Sequence, residues 1–379
     1  MKLPPFKLEE FWKKYEFTSP YLLCCSDVES WKLSEILELA DPESKKLWES
    51  LTLGYTEPPG LPLLRKEIAK LYSQIESEQV FTFAGAEEGI YCSMRTLIEP
   101  GDHVIVIDPC YQSLKTLPES FGAHITSIPL DPKKKWQLTL EDFEKAFLPH
   151  TKLLILNYPH NPTGAILGKK VFEGIIELAR ERGTYIFCDE VYRYLEIDER
   201  DQLPSIADVY EKGITLNVMT KAFGLAGLRI GWLVTQDADF LKEVGSYKLY
   251  TSICNSGPSE ILALIALRAK DRILKRNREI MLSNLEILDS FMNRYQKLLS
   301  WDRPQSGTMA VIKLLLPVPV EKFAEELVEK IGVLIMPGPI FNFPGNFFRI
   351  GFGRKNMPQV LEHFEQFLKN YGISNETTH

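Results

Sequence analysis

Two hydrophobic rhythms alternate along the middle of the chain. Short runs that are apolar nearly throughout, at residues 104–107, 153–156, 185–188, 214–218 and 230–234, are separated by stretches with apolar residues at helical spacing. Lys169–Arg182, between two of these runs, carries Val171, Phe172, Ile175, Ile176, Leu178 and Ala179 on one face and meets Gly183, a helix stop. Apolar strands separated by helices predict a mostly parallel sheet covered on both faces. Before it, residues 1–50 read as helical, with an amphipathic piece (Leu8, Phe11, Trp12, Tyr15) and a second around 33–39. A Pro/Gly-rich loop at 54–60 and a helix carrying Leu63, Leu64, Ile68 and Leu71 follow. After it, a long helical region runs from 257 to about 298. A strand at 309–316, a helix at Val320–Ile331, strands at 333–335 and Phe347–Gly351, and a last helix at 357–371 complete the pattern. Residues 374–379 are polar and are expected to fray.

The C-terminal pattern is long enough to fold as an α+β unit of its own, and the N-terminal piece, with no sheet, is expected to pack on it. The expected division is a large domain over residues 50–270 and a small domain built from 1–49 and 271–379, which suits a chain of 379 residues.

Composition narrows the function classes. Hydrophobic residues make up 45% and charged residues 25%, so the chain is globular rather than disordered. The net charge of −7 argues against a nucleic-acid partner; the run Lys133-Lys134-Lys135 reads as a solvated turn. Six scattered cysteines without a C-x-x-C pair suggest free thiols and a cytoplasmic location. No signal-peptide pattern opens the chain, and no apolar run approaches the roughly 20 residues a membrane helix needs. The histidines form no metal-ligand spacing, so no metal is expected.

In open parallel sheets, ligands bind beyond the carboxyl ends of the strands. Four successive strand ends here lead into Asp108-Pro109-Cys110-Tyr111, Asn157-Tyr158-Pro159-His160-Asn161-Pro162-Thr163-Gly164, Asp189-Glu190-Val191-Tyr192 and Met219-Thr220-Lys221. They deliver an aromatic ring, an amide, a carboxylate with a phenol, and an amine. Such a set suits a flat aromatic cation that forms a Schiff base with lysine, a description pyridoxal phosphate fits. Two rival motifs fail. Gly164–Lys170 has three residues between its glycines where a P-loop has four, and Gly224-Leu225-Ala226-Gly227 is not G-x-G-x-x-G.

Asn161-Pro162-Thr163-Gly164, Asp189-x-x-Tyr192 and Thr220-Lys221-x-x-Gly224-x-x-Gly227-x-Arg229-x-Gly231, in this order and spacing, resemble the class I/II aminotransferases of pyridoxal-phosphate fold type I. The resemblance covers about residues 50–370. It implies an α/β fold with a mostly parallel sheet of the seven-stranded type in a large domain, plus a smaller α+β domain. It implies that Lys221 forms the Schiff base and shuttles the proton, that Asp189 pairs with the ring nitrogen, and that Asn161 and Tyr192 bond the ring 3-oxygen. It further implies that Tyr111 stacks on the ring and that Arg229 grips the phosphate with Thr220 beside it. The backbone of Gly85, Ala86 and Glu87 then cradles that phosphate at a helix start. Arg349 would fork the substrate carboxylate, with Asn161 near it, and Tyr55 would cross a homodimer interface to the neighbour's site. His160 reads as structural. The family often places a phosphate-binding serine three residues before the lysine; here Val218 stands there, at a cost of about 0.5–1.5 kcal/mol for one lost hydrogen bond.

Transamination between an α-amino acid and a 2-oxo acid is the reaction the resemblance implies first. Residues 24–30, with Asp27 and Glu29, depart from the family's apolar or glycine-containing approach and would favour a cationic side chain if they face the site. This segment, 157–162 and 250–255 are also similar to capreomycidine-synthase-like members, which cyclise a hydroxylated arginine. A cyclase or synthase, a carbon–sulfur lyase, and a non-catalytic ligand sensor are the alternatives.

Overall fold

The computed structural model describes residues 3–343 and 345–376. Its centre is a seven-stranded sheet. In spatial order the strands are Val80–Phe83, Gly231–Thr235, Gly213–Val218, Tyr185–Asp189, Thr151–Asn157, His103–Asp108 and His124–Pro129. Pairing is parallel from Gly213–Val218 outward to His124–Pro129 and antiparallel on both sides of Gly231–Thr235. The expected mostly parallel sheet is therefore present, with two strands that the apolar pattern did not mark. His124–Pro129 is an edge strand in which only Ile128 is fully buried, and Val80–Phe83 is four residues long.

Side chains alternate across a strand, and both faces here are covered. Val104, Val106, Leu153 and Ile155 enter one core, while Ile105, Ile107, Leu154 and Leu156 enter the other. Each fully buried aliphatic side chain contributes roughly 1.5–3 kcal/mol. Helix Lys169–Arg182 lays Phe172, Ile175, Ile176 and Ala179 on the sheet and stops at Gly183 in the left-handed region, φ 65°.

The C-terminal unit is a four-stranded antiparallel sheet, ordered Met336–Pro337, Phe347–Gly351, Met309–Leu314, Leu299–Trp301. Phe348 of its inner strand packs on Phe323 of helix Val320–Ile331 and Phe364 of helix Met357–Glu376. Period two then turns Arg349 to the opposite face. The last helix extends past the expected end and includes residues 374–376, which were expected to fray; residues 377–379 lie outside the described residues. The single helical region expected from 257 is two helices, Gly257–Arg268 and Lys270–Arg294, separated at Ala269.

The N-terminal region is helical only in part, at Lys7–Tyr15, Leu33–Leu37 and Pro42–Glu49. Between the first two helices the chain runs extended, and Tyr21–Leu22 pairs in parallel with Val333–Leu334. Further on, Arg268 ties this region to helix Gly257–Arg268 through Asp41 (3.0 Å) and Glu43 (2.7 Å). No helix among the described residues is long and apolar enough to cross a membrane.

Candidate active site

The parallel strands end on a cavity of about 390 Å³. Strand Thr151–Asn157 and strand Tyr185–Asp189 finish level, with Asn157 opposite Asp189, and the Asn157 side chain donates to the Asp189 carbonyl (3.1 Å) and accepts from the Asn161 backbone N–H (3.0 Å). That pair of bonds hangs the Asn161 turn over the strand ends. Burial pushes the Asp189 carboxyl up to about 7, opposed by the Val191 N–H (3.2 Å) and by Lys221. A carboxylate buried this far from water needs a cation to stay ionised at neutral pH.

Lys221 follows strand Gly213–Val218. Its ammonium donates to Ser26 Oγ (2.9 Å) and lies 5.5 Å from the centre of the Tyr192 ring. The Tyr192 hydroxyl is buried, opens on the cavity and has no hydrogen-bond partner. Tyr111 comes from the end of strand His103–Asp108 and packs on Phe6, ring centres 5.5 Å apart. Burial raises its phenol, and the neighbouring Glu87 carboxyl adds to the shift. Glu87 in turn accepts from Ser113 and is itself raised by burial.

At the other end, helix Ala86–Leu97 begins with Gly85 at φ 84°, and no side chain caps it. A Cβ on Gly85 would collide with the Arg229 guanidinium, and one on Gly231 would lie 2.7 Å from the Gly85 carbonyl carbon. Two glycines thus let a strand, a helix start and a guanidinium meet. A helix N-terminus beside an arginine is a receptor for a phosphate-sized anion. Val218 is buried at the cavity wall with no hydroxyl to offer, and Thr220 lines the cavity beside Lys221.

Behind this helix start lies a buried polar knot. Lys248, fully buried, donates to the carbonyls of Pro58 (2.7 Å) and Thr82 (2.8 Å). Asn255 donates to Thr82 Oγ1 (2.6 Å), Thr56 donates to the Asn255 carbonyl (2.9 Å), and Thr251 and the Ser252 N–H bond Glu88.

Arg349 is 2% exposed, yet no acid among the described residues pairs with it. Nη1 donates to Asn161 Oδ1 (3.1 Å), Nη2 to the Cys24 carbonyl (2.9 Å), and Nε has no partner. Burial lowers its pKa, and the guanidinium rests 5.0 Å from the Phe341 ring centre. A buried guanidinium held only by carbonyl oxygens is stabilised by an incoming carboxylate.

The expected set Ala86, Glu87, Tyr111, Asn161, Asp189, Tyr192, Thr220, Lys221, Arg229 and Arg349 therefore lines one cavity, with Gly85 against its Arg229 wall. Tyr55 is not brought to it by its own chain; its side chain is 92% exposed on the 54–60 loop. Asp27 and Glu29 do not line the cavity either: Asp27 pairs with Arg354 (2.8 Å) and Glu29 accepts from the Lys355 N–H (3.0 Å). The residue of that segment which does enter is Ser26. Helix Lys7–Tyr15 adds Leu8, Glu9 and Trp12 to the wall. His160 is structural: it bonds Thr163 Oγ1 (2.7 Å) and the Pro109 carbonyl (2.9 Å), and burial pulls it down to about 4, so it is neutral.

The orphan phenol, the deeply buried carboxyl, the uncapped helix start and the amine fit pyridoxal phosphate, whose oxygen, ring nitrogen, phosphate and aldehyde complement them one to one. Comparison with known proteins agrees. The aminotransferase class I and II profile matches residues 31–364. A pyridoxal-phosphate-dependent aminotransferase structure from Streptococcus suis is 34% identical, with a TM-score of 0.92 over 98% of this chain and 99% of that one. An aspartate aminotransferase of Thermotoga maritima is 27% identical over 86% of this chain and 87% of its own. The capreomycidine synthase of Streptomyces vinaceus is 25% identical over 92% and 90%. The chain belongs to the class I and II aminotransferase family and is a pyridoxal-phosphate-dependent aminotransferase.

Proposed function

We propose that this aminotransferase moves the amino group of an α-amino acid to a 2-oxo acid at the Lys221 cavity, with Arg349 receiving the substrate α-carboxylate. The single observation that carries this reading is the buried, acid-free guanidinium of Arg349, 3.1 Å from Asn161 and open to the cavity that Lys221 enters.

Pyridoxal phosphate supplies an aldehyde for the amino group and a ring that stores the electron pair left when the α-proton departs. The chain's residues do the rest. Lys221 is the amine that would hold the cofactor, and as a base it would take up and return the substrate α-proton. Ser26 positions its ammonium before that step. Asp189 would hold the ring nitrogen protonated, and a ring cation there would keep Asp189 ionised. Tyr192 and Asn161 hold the ring oxygen, Tyr111 covers the ring face, and Arg229, Thr220 and the backbone at residues 85–87 bind the phosphate.

The exposed Tyr55, with Leu53 at 87% and Tyr250 at 91% exposure beside the same buried knot, supports a homodimer in which the 54–60 loop meets the partner. The division into residues 50–270 and residues 1–49 with 271–379, and a cytoplasmic location, complete the reading. The cyclase alternative is supported by likeness to capreomycidine synthase, and no group in the cavity favours it over transamination. Loaded enzyme mixed with single amino acids, and the loss of the visible band of the lysine-bound cofactor followed, tests the proposal. An amino acid that converts the band and is recovered as its 2-oxo acid meets the expectation, and recovery of a cyclised or eliminated product contradicts it.

A further inference from the structure

The cavity is unevenly charged. Its three cations, Lys221, Arg229 and Arg349, are each matched to one group: the amine position, the phosphate and the α-carboxylate. No fourth cation lines it among the described residues, so a second carboxylate would find no cation of this chain left to pair with. Its acids number three as well. Asp189 faces the ring position, and Glu87 is tied to Ser113. Glu9, in the first turn of helix Lys7–Tyr15, lines the cavity with neither an ion pair nor a hydrogen bond among the described residues.

The position of Glu9 relative to Arg349 matters. Arg349 is held by Asn161 and the Cys24 carbonyl, and the exposed Glu9 and half-buried Trp12 of helix Lys7–Tyr15 line the same cavity. A substrate whose carboxylate sits on Arg349 shares its cavity with the Glu9 carboxylate and the Trp12 indole. That a ligand is received here follows independently from Arg349, 2% exposed with Nε unpartnered and open to the same cavity. A guanidinium or ammonium in that region gains a charge-assisted bond and an aromatic face. A carboxylate in the same place meets like charge.

We propose that Glu9, with Trp12, selects the substrate side chain by charge, so that the preferred amino donor is cationic and amino dicarboxylates are disfavoured. The inference rests on Arg349 as the α-carboxylate receptor. It replaces the expectation attached to Asp27 and Glu29, whose charges are taken up by Arg354 and the Lys355 N–H.

The test uses loaded enzyme and carboxylates that lack the amino group, so that binding is read without turnover. Calorimetry compares 5-guanidinopentanoate, its uncharged twin 5-ureidopentanoate, and glutarate. Glu9 being exposed, the guanidino compound is expected to bind about two- to fivefold tighter than the ureido compound, with glutarate weakest, and Glu9→Gln should bring the guanidino-to-ureido ratio close to one. Equal binding of the twins by the wild type, glutarate as the tightest ligand, or an unchanged ratio in Glu9→Gln each overturns the proposal. Arg349→Ala separates the two readings. If it weakens all three ligands together, the carboxylate receptor stands; if it weakens none while the ratio still depends on Glu9, the receptor assignment fails and charge selection survives.

Discussion

Arg349 and Asn161 stand 188 residues apart in the chain and share a hydrogen bond of 3.1 Å. One comes from the inner strand of the small antiparallel sheet, the other from the turn that hangs over the ends of the parallel strands. The bond fixes the proposed α-carboxylate receptor relative to the proposed ring-oxygen site, the spacing an amino-acid substrate would have to span.

Removing that guanidinium should be felt by substrate and not by cofactor. Charge-assisted bonds from a guanidinium fork are worth roughly 1.5–3 kcal/mol, about ten- to hundredfold in binding. Arg349→Ala should raise KM for any α-amino acid by that factor while leaving cofactor retention near wild type. Arg349→Lys should recover little, since an ammonium cannot present the planar fork. Steady-state kinetics beside a cofactor titration decides it; an unchanged KM places the carboxylate elsewhere.

Among the described residues, Lys221 is the only lysine lining the cavity. Lys221→Ala should lose the visible band of the lysine-bound cofactor and essentially all turnover. Borohydride treatment of the loaded wild type followed by peptide mapping should place the label on Lys221, and label on any other lysine would refute the site.

Asp189 has a pH signature in the cofactor-free protein. Burial raises its carboxyl to about 7, well above the roughly 3.9 of an unfolded aspartate. The folded state therefore favours the neutral form, so the stability this group contributes is complete below about pH 4 and lost as pH rises through about 7. Asp189→Asn stays neutral throughout. The cofactor-free variant should gain on the wild type between pH 4 and 7 and run parallel above that, by urea denaturation across the range. Loaded with cofactor, the same variant should fold but lose most turnover, because a neutral amide cannot hold the ring nitrogen protonated. Parallel stability curves from pH 4 upward would contradict the first expectation, and near wild-type turnover the second.

Tyr55 tests the assembly. Sedimentation should give a dimer at micromolar concentration, since obligate interfaces bury on the order of 2,000 Å² or more. Tyr55→Ala should weaken cofactor retention without unfolding the chain, its side chain being solvent-exposed in the isolated chain. A fully active monomer at all concentrations would exclude the shared site.

Much of the site could be read from the sequence because its residues follow strand ends. Asp189, Asn161 and Lys221 each come just after an apolar run, and topology brings such positions together whatever the intervening length. Ser26, Glu9 and Trp12 could not be read this way. They belong to a segment that is held by pairing to Val333–Leu334, more than 300 residues downstream, and no local spacing records that. The strand His124–Pro129 escapes the pattern for a related reason: at the sheet edge, its exposed His124 and half-buried Thr126 and Ser127 interrupt the apolar run. The helix break at Ala269 has no glycine or proline to announce it. Asp27 and Glu29 misled because charge in a sequence does not show whether a partner such as Arg354 will neutralise it.

The knot around Lys248 has a consequence for how two surfaces could meet. A buried ammonium whose described bonds are to the carbonyls of Pro58 and Thr82 resists local fraying, because opening it would strand both donor and acceptors away from water. The 54–60 loop has no helix or strand of its own, yet Pro58 is tied through Lys248 to the strand Val80–Phe83. Its disorder is removed when the chain folds. Little conformational entropy is then left for that loop to lose on association, and a rigid arm binds more tightly than a flexible one of the same composition.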